Sequence, residues 1–136
     1  MATFVYNIFK EKMLTGAIDL DVDTIKCALV TASYTPDRSN HHAWNDISNE
    51  VSGTGYAAGG KIVTLRPVVS YWYLEVSMDE LIWPDSTITN MRGAVFYKSV
   101  SDASQSWLIC YIDTLTDKSS QNSDFYFHMW PLFKLN

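Results

Sequence analysis

Charge is scarce in this chain. Asp, Glu, Lys and Arg supply 18% of its 136 residues, against roughly 25% in soluble domains. The ten basic residues are scattered, with Lys10 and Lys12 the closest pair, and the formal net charge is −5. Neutralising a phosphate backbone takes several convergent cations, so nucleic acid is not an expected partner. No apolar run approaches the roughly 20 residues that a membrane helix needs, so no membrane is expected either. Histidine is limited to His41, His42 and His128, none in an H-E-x-x-H spacing, and there is no Cys-x-x-Cys. Ser52-Gly53-Thr54-Gly55 and Gly59-Gly60 are followed by no Gly-Lys-Ser/Thr, do not match G-x-G-x-x-G, and no G-x-S-x-G elbow exists. The expectation is therefore no enzyme and no cofactor. The first residues, Met1 to Tyr6, lack the basic stretch and apolar block of a signal peptide. That implies folding in a reducing cytosol, with Cys27 and Cys110 as buried free thiols.

What is abundant is apolar and aromatic matter. Hydrophobic residues reach 47%, enough for a real core, and five Trp, eight Tyr and six Phe make up 14% of the chain. Each ring buries about 150–250 Å² when covered. One domain of this length has limited room for nineteen rings, so some are expected at the surface, where Tyr and Trp favour contact with other proteins.

The pattern along the chain is mainly that of short strands. The first segment reads as a helix, with Thr3 as its cap, Phe4, Ile8, Val5, Phe9 and Met13 on an apolar stripe, and Gly16 at its stop. Ala17 to Thr24 alternates, with Ile18, Leu20 and Val22 opposing Asp19, Asp21 and Asp23, which predicts a half-buried strand or arm leading into Ile25–Val30. Residues 31–60 are rich in turn formers and read as one long loop, of the kind that often carries function, with a short helix around Ala43 to Ser48. Further strands are expected at Lys61–Leu65, Val68–Met78, Leu81–Trp83, Thr87–Thr89, Gly93–Lys98, Trp107–Asp113 and Phe125–Trp130, punctuated by Pro67, by Pro84-Asp85 and by the polar run Ser119–Ser123. Seven to nine closely spaced strands argue for an antiparallel sandwich or barrel, since the gaps are too short for parallel crossovers.

Four arrangements resemble chemistry. His41, His42, Asp37 and Asp46 have metal-binding side chains, but a solvated polar loop explains them as well. Asp19-Leu20-Asp21-Val22-Asp23 begins like a calcium loop, yet its sixth and twelfth positions are Thr24 and Val30 instead of Gly and an acid. Nothing selects a glycosidase-like carboxylate pair among the fifteen acids. Trp44, Trp72 and Trp83 are candidates for a carbohydrate-binding platform.

An ordered set of segments carries a resemblance. Ile18-Asp19-Leu20-Asp21, Asp23-Thr24-Ile25-Lys26, Tyr34-Thr35-Pro36-Asp37, Asn49 to Tyr56 and Gly59-Gly60 are followed by Trp83 to Thr89, Ala94 to Lys98, Leu108 to Asp113 and Phe125 to Trp130. Together these resemble small virion proteins of tailed bacteriophages, of which capsid cement or decoration proteins are the nearest characterised type. The C-terminal Pro131 to Leu135 departs from the Gly-containing tail of that pattern. The resemblance implies one antiparallel β-sandwich of jelly-roll type over residues 1–136, with an N-terminal helix or arm over 1–16 and the long loop over 31–60. It implies that the chain sits on the capsid exterior, assembled in the host bacterial cytoplasm. There it would bridge major capsid protein subunits and associate with itself as a homo-oligomer. A head–tail junction or tail role and a carbohydrate-binding surface module are the alternatives. The expected protein contacts are Phe4, Ile8, Phe9, Tyr34, His42, Trp44, Trp130 and Phe133; for each, ordinary core packing is the competing account.

Overall fold

The computed structural model describes residues 3–135, so Met1 and Ala2 of the expected arm, and Asn136, lie outside the described residues. Among the described residues, eight strands and one α-helix follow in the order β1 (Phe4–Val5), α1 (Asn7–Leu14), β2 (Ile25–Thr31), β3 (Lys61–Val63), β4 (Leu65–Val69), β5 (Leu74–Met78), β6 (Leu81–Lys98), β7 (Leu108–Phe127) and β8 (Phe133–Leu135), with short 3-10 helices at Trp44–Asp46, inside the helix expected around Ala43 to Ser48, and at Ala103–Gln105. Every pairing is antiparallel. A five-stranded sheet runs β1-β7-β6-β2-β3 and a three-stranded sheet runs β4-β5-β8. The mainly-β, antiparallel, sandwich-like class expected from the sequence is thus the class observed.

The large sheet is buried on both faces, which explains why β2 is apolar without alternation. Cys27 and Leu29 join Phe9, Leu65, Val76, Met78, Phe96 and Phe133 in the main core between the sheets. Ala28 and Val30 face a second core with Tyr6, Ile8, Tyr34, Val95, Leu108 and Tyr111. The long loop closes this outer face with Trp44 and Ile47. It also covers the edge of β2, where Thr31 N–H donates to Asn49 O and Val51 N–H to Leu29 O at 3.0 and 2.9 Å. Cys27 and Cys110 both pair with Phe96 across β6. Two strand spacings, about 10 Å, therefore separate them, beyond the roughly 7 Å that a disulfide tolerates. Both thiols are free and buried, and burial raises both above their ordinary pKa.

The central element is the β6–β7 ribbon, 18 residues against 20. The sequence suggested breaks at Pro84-Asp85, after Thr89 and at Ser119–Ser123, but the ribbon runs through all of them as bulges. Between Trp83 and Ser86 the partner steps only from Phe125 to Ser123; between Ser86 and Ile88 it steps from Ser123 to Ser120; between Ile88 and Met91 from Ser120 to Lys118. The extra residue thus alternates between the strands. Asp85, Asn122 and Asn90 take it up at φ of 47°, 49° and 57°, in the left-handed region that Asp and Asn tolerate best among non-glycines. A further bulge at Ile109, between the pairs Phe96–Cys110 and Tyr97–Leu108, lets Ile109 and Cys110 face the same core. Bulges bend and twist a ribbon. The Phe127 ring, paired at the far end with Leu81, consequently lies 6.1 Å from that of Phe96 at the near end.

Hydroxyl side chains replace the ladder bonds that the bulges remove. Ser86 Oγ is fully buried and meets Trp83 O at 2.9 Å, Ser123 O at 3.1 Å and Ser120 Oγ at 3.0 Å. Ile88 N–H donates to Ser120 Oγ, Asn90 N–H to Ser119 Oγ and Asn122 N–H to Thr87 Oγ1. The 53–55 loop lies against this region, and Thr87 N–H donates to Thr54 O. A Cβ at Gly53 would collide with the Thr87 carbonyl, which is why that position is glycine.

Three other expectations are corrected. Thr3 does not cap the helix: Phe4–Val5 pair with β7, Tyr6 precedes the helix, and Thr3 Oγ1 accepts from Asp113 N–H. Residues 17–24 form a turn instead of a strand, because Asp23 Oδ2 accepts from Asp19 N–H at 2.7 Å and Asp19 Oδ1 from Asp21 N–H at 3.0 Å. The expected strand Val68–Met78 is broken by a turn at 70–73, while Pro67 lies inside β4. For the bulge network we expect Ser86→Ala to cost about 1–3 kcal/mol through unsatisfied carbonyls, read as a lowered denaturant midpoint at unchanged slope. Ser119→Ala, on the exposed side, should cost less.

Candidate interaction surfaces

The aromatic surplus divides into rings that hold the fold and rings that do not touch it. Of the residues expected at a protein contact, Ile8, Phe9, Tyr34 and Phe133 are buried in the folded chain. Phe9 packs edge-on against Phe133 at 5.7 Å. Tyr34 is hydrogen-bonded to Tyr6 OH at 2.9 Å and to His41 Nδ1 at 2.8 Å. These four belong to the interior and are corrected accordingly. Phe4 and Trp44 are half-buried: Phe4 packs on Tyr6, and Trp44 stacks on Tyr97 at 4.4 Å with an interplanar angle of 13°. His42 is exposed, its N–H bound to Asp46 Oδ2, and Trp130 is 71% exposed.

The other candidates are not brought together either. Trp83 is 2% exposed in the main core, Trp44 covers the outer face, and Trp72 stands at a hairpin tip. The three therefore form no common platform. Asp37 and Asp46 are closed onto their own loop. Asp37 accepts from the Asn40 amide and from the N–H groups of Asn40 and Ser39, which hold its carboxyl below the ordinary carboxylate range. Asp46 accepts from His42 and Ala43 N–H. Among the described residues, no group of three His, Cys, Asp or Glu side chains is placed to hold a metal ion.

Apart from Leu14, Val22, Ile62, Ile82 and Val100, the exposed large apolar side chains fall at two places. The first is the tip of the β4–β5 hairpin. Leu65, Pro67 and Val69 share one face with their partners Met78, Val76 and Leu74. Leu65, Val76 and Met78 are buried, but Val69 is 84% exposed, so this apolar face overhangs the body that it covers. At the tip, Tyr71 is 97% and Trp72 84% exposed. Ser70 N–H donates to Tyr73 O at 2.9 Å, leaving Tyr71 and Trp72 as a two-residue loop. Such loops favour Asn and Gly at positive φ; here both positions hold large rings, neither at positive φ. Turn chemistry does not ask for these residues. The sequence hid the turn because Val68 to Met78 contains no Gly, Pro, Asn or Asp. The only signal was three successive aromatics, Tyr71 to Tyr73.

The second place is the opposite end. Leu132 N–H donates to Val76 O, and β8 then runs from Val76 to Leu74, so Trp130 lies beyond the base of the hairpin. On the chain just before it, Tyr126, His128 and Met129 share a shallow groove with Leu115 and Lys118. Leu115 is exposed and sits at φ 68°, a conformation that costs about 1–3 kcal/mol and persists only where its surroundings over-determine it. They do so here: its N–H donates to Asp113 Oδ1 at 2.8 Å, Thr114 Oγ1 donates to Arg92 O at 2.6 Å, and Arg92 pairs with Asp117 at 2.9 Å. No family model matches the chain, and neither a curated protein nor a solved structure is similar to it.

The division of rings has two measurable consequences. Tyr71→Ser and Trp72→Ser should each leave the stability of the monomeric chain within about 0.5 kcal/mol of the parent, whereas Trp83→Ala should cost about 3–5 kcal/mol, all read by chemical denaturation at high dilution. Burial raises Tyr34 and Tyr111 from 10.0 to about 12, and Tyr6 further. An unfolded tyrosine ionises near 10 while these stay protonated, so the native state then binds more protons and stability falls as pH rises. Thermal melts should show full stability below pH 10 and a steep loss between pH 10 and 12.

Proposed function

We propose that this chain is a capsid cement protein of a tailed bacteriophage. In this reading it lies on the head exterior, bridges major capsid protein subunits, performs no catalytic step and takes no cofactor. The observation that carries the proposal is the placement of apolar surface at two separated ends. A bridge needs two contacts, and a domain whose exposed rings were meant for one partner would gather them in one patch. The β4–β5 strands separate the ends by about five residues at 3.3 Å each, roughly 17 Å. The resemblance to phage virion proteins supports the same reading, and the jelly-roll connectivity that it implies belongs with it. Each contact need bury only about 1,200–2,000 Å² in total to be stable, and a repeating shell adds weak contacts through multivalency. Trp130, with Leu115 and Tyr126, is the surface assigned to the shell protein.

Quantitative mass spectrometry of purified particles tests the reading. Copies in number comparable to the major capsid protein are expected, and Trp130→Ser should lower incorporation without unfolding the chain. Copies at the few-fold stoichiometry of a connector or tail ring would move the protein to the head–tail junction or tail. Absence from the particle would end the virion reading. Retention of Trp72-dependent binding to a glycan array would then favour the carbohydrate module.

A further inference from the structure

The overhanging hairpin leaves a groove beneath it. It consists of two adjoining hollows that share Met13 and Leu74, one bounded by Pro67 and Leu20, the other by Leu14 and Leu135. Leu14 is 83% exposed although it ends the helix whose other apolar residues are covered. Lys10 and Lys134 stand at one end of the groove, Asp19 and Asp21 at the other.

We propose that the occupant of this groove is the Tyr71–Trp72 tip of a second copy of the chain, whose own groove receives the first copy's tip in a two-fold exchange. Tip and groove lie on the same hairpin, one just beyond the other. A single isologous contact can therefore fill both grooves at once, each residue meeting its counterpart's neighbour in turn. Lys134 already lies over the Tyr73 ring at 4.5 Å, so cation and ring are compatible neighbours at this end.

The area is sufficient. Tyr71 and Trp72 bury about 150–250 Å² each, so two tips remove roughly 600–1,000 Å² from water. The grooves that they cover are shallow and lose less, which brings the total to about 1,000–1,500 Å², at the lower edge of stable specific contacts.

The same hairpin disfavours the obvious alternative, sheet extension. With Ser70 and Tyr73 as a hydrogen-bonded pair, Val68 and Arg66 turn their backbone groups toward β5, and Leu65, Pro67 and Val69 turn theirs to the open edge. Pro67 therefore removes a donor from the middle of the only free length of β4, a common protection against strand addition. Side chains, not backbone, are left to make the contact.

The inference deepens the bridging reading by giving one of the two surfaces a second copy as its partner, and it can be tested without a particle. Sedimentation of the purified full chain should show a dimer at micromolar concentration. Trp72→Ser (tip) and Leu14→Asp (groove) substitute side chains exposed in the monomer, so both should fold, and each should raise the dimer dissociation constant by about tenfold or more. An equimolar mixture of the two variants retains one intact tip and one intact groove in the mixed pair. It should associate more tightly than either variant alone and less tightly than the parent. Trp130→Ser should dimerise as the parent does. A parent chain that sediments as a monomer throughout the micromolar range overturns the proposal. So does a Leu14→Asp chain that dimerises normally, since tip-on-tip contact would not need the groove. A dimer that never enters particles would end the shell reading and leave this one standing.

Discussion

Two long strands that carry their irregularities on alternate sides organise this molecule. Each bulge on β6 is followed by one on β7, and the ribbon bends far enough that its far end closes over its near end. Phe96 meets Phe127, and the ribbon supplies about half of the main core that forms between the sheets. Bending has a cost in broken ladder bonds. Ser86, Thr87, Ser119 and Ser120 offset it by supplying hydroxyl oxygens and protons where backbone partners are missing. Without Ser86 Oγ the carbonyl of the buried Trp83 would lose its hydroxyl donor, at about 1–3 kcal/mol. The small β4-β5-β8 sheet and the helix then cover what the ribbon leaves open.

Much of the near half of this arrangement was legible from sequence. Ile25–Thr31, the 93–98 stretch and the 108–113 stretch are dense in apolar and β-branched residues, and nothing competes with a strand there. The far half was not. Pro84-Asp85, Asn90 and Asn122 are the residues that terminate strands in most contexts, and Asp and Asn tolerate left-handed backbone. A turn and a bulge ask for the same conformations, and only the tertiary partner decides between them. Residues 17–24 failed in the opposite direction. Alternation of Ile, Leu and Val with Asp satisfies a period of two, yet aspartates bond their own backbone, and that local alternative prevailed.

That some rings stay outside was legible in the sequence, but not which ones. Counting rings against available interior correctly predicts that some stay outside, but it cannot name them. Phe9, Tyr34 and Phe133 are as hydrophobic as Trp72 and Trp130, and their positions were settled by contacts far apart in sequence: Tyr34 by Tyr6, Phe133 by Phe9. Trp83 reads as a surface ring next to Pro84-Asp85, but the curl of the ribbon carries it to the centre, where Tyr56 and Phe125 flank it. Leu115 gives no signal in one dimension, since its exposure follows from a stretch where four residues of β7, 114–117, stand opposite Arg92 alone on β6.

Pro67 has a consequence for the chain before it reaches any assembly. A free edge strand beside exposed valines and aromatic rings is the combination that drives open-ended fibre growth. Deleting one backbone donor in the middle of that edge breaks the repeat on which a growing fibre depends, while the rings remain available for a contact that closes on itself. The side-chain contacts that remain are of a kind that saturates.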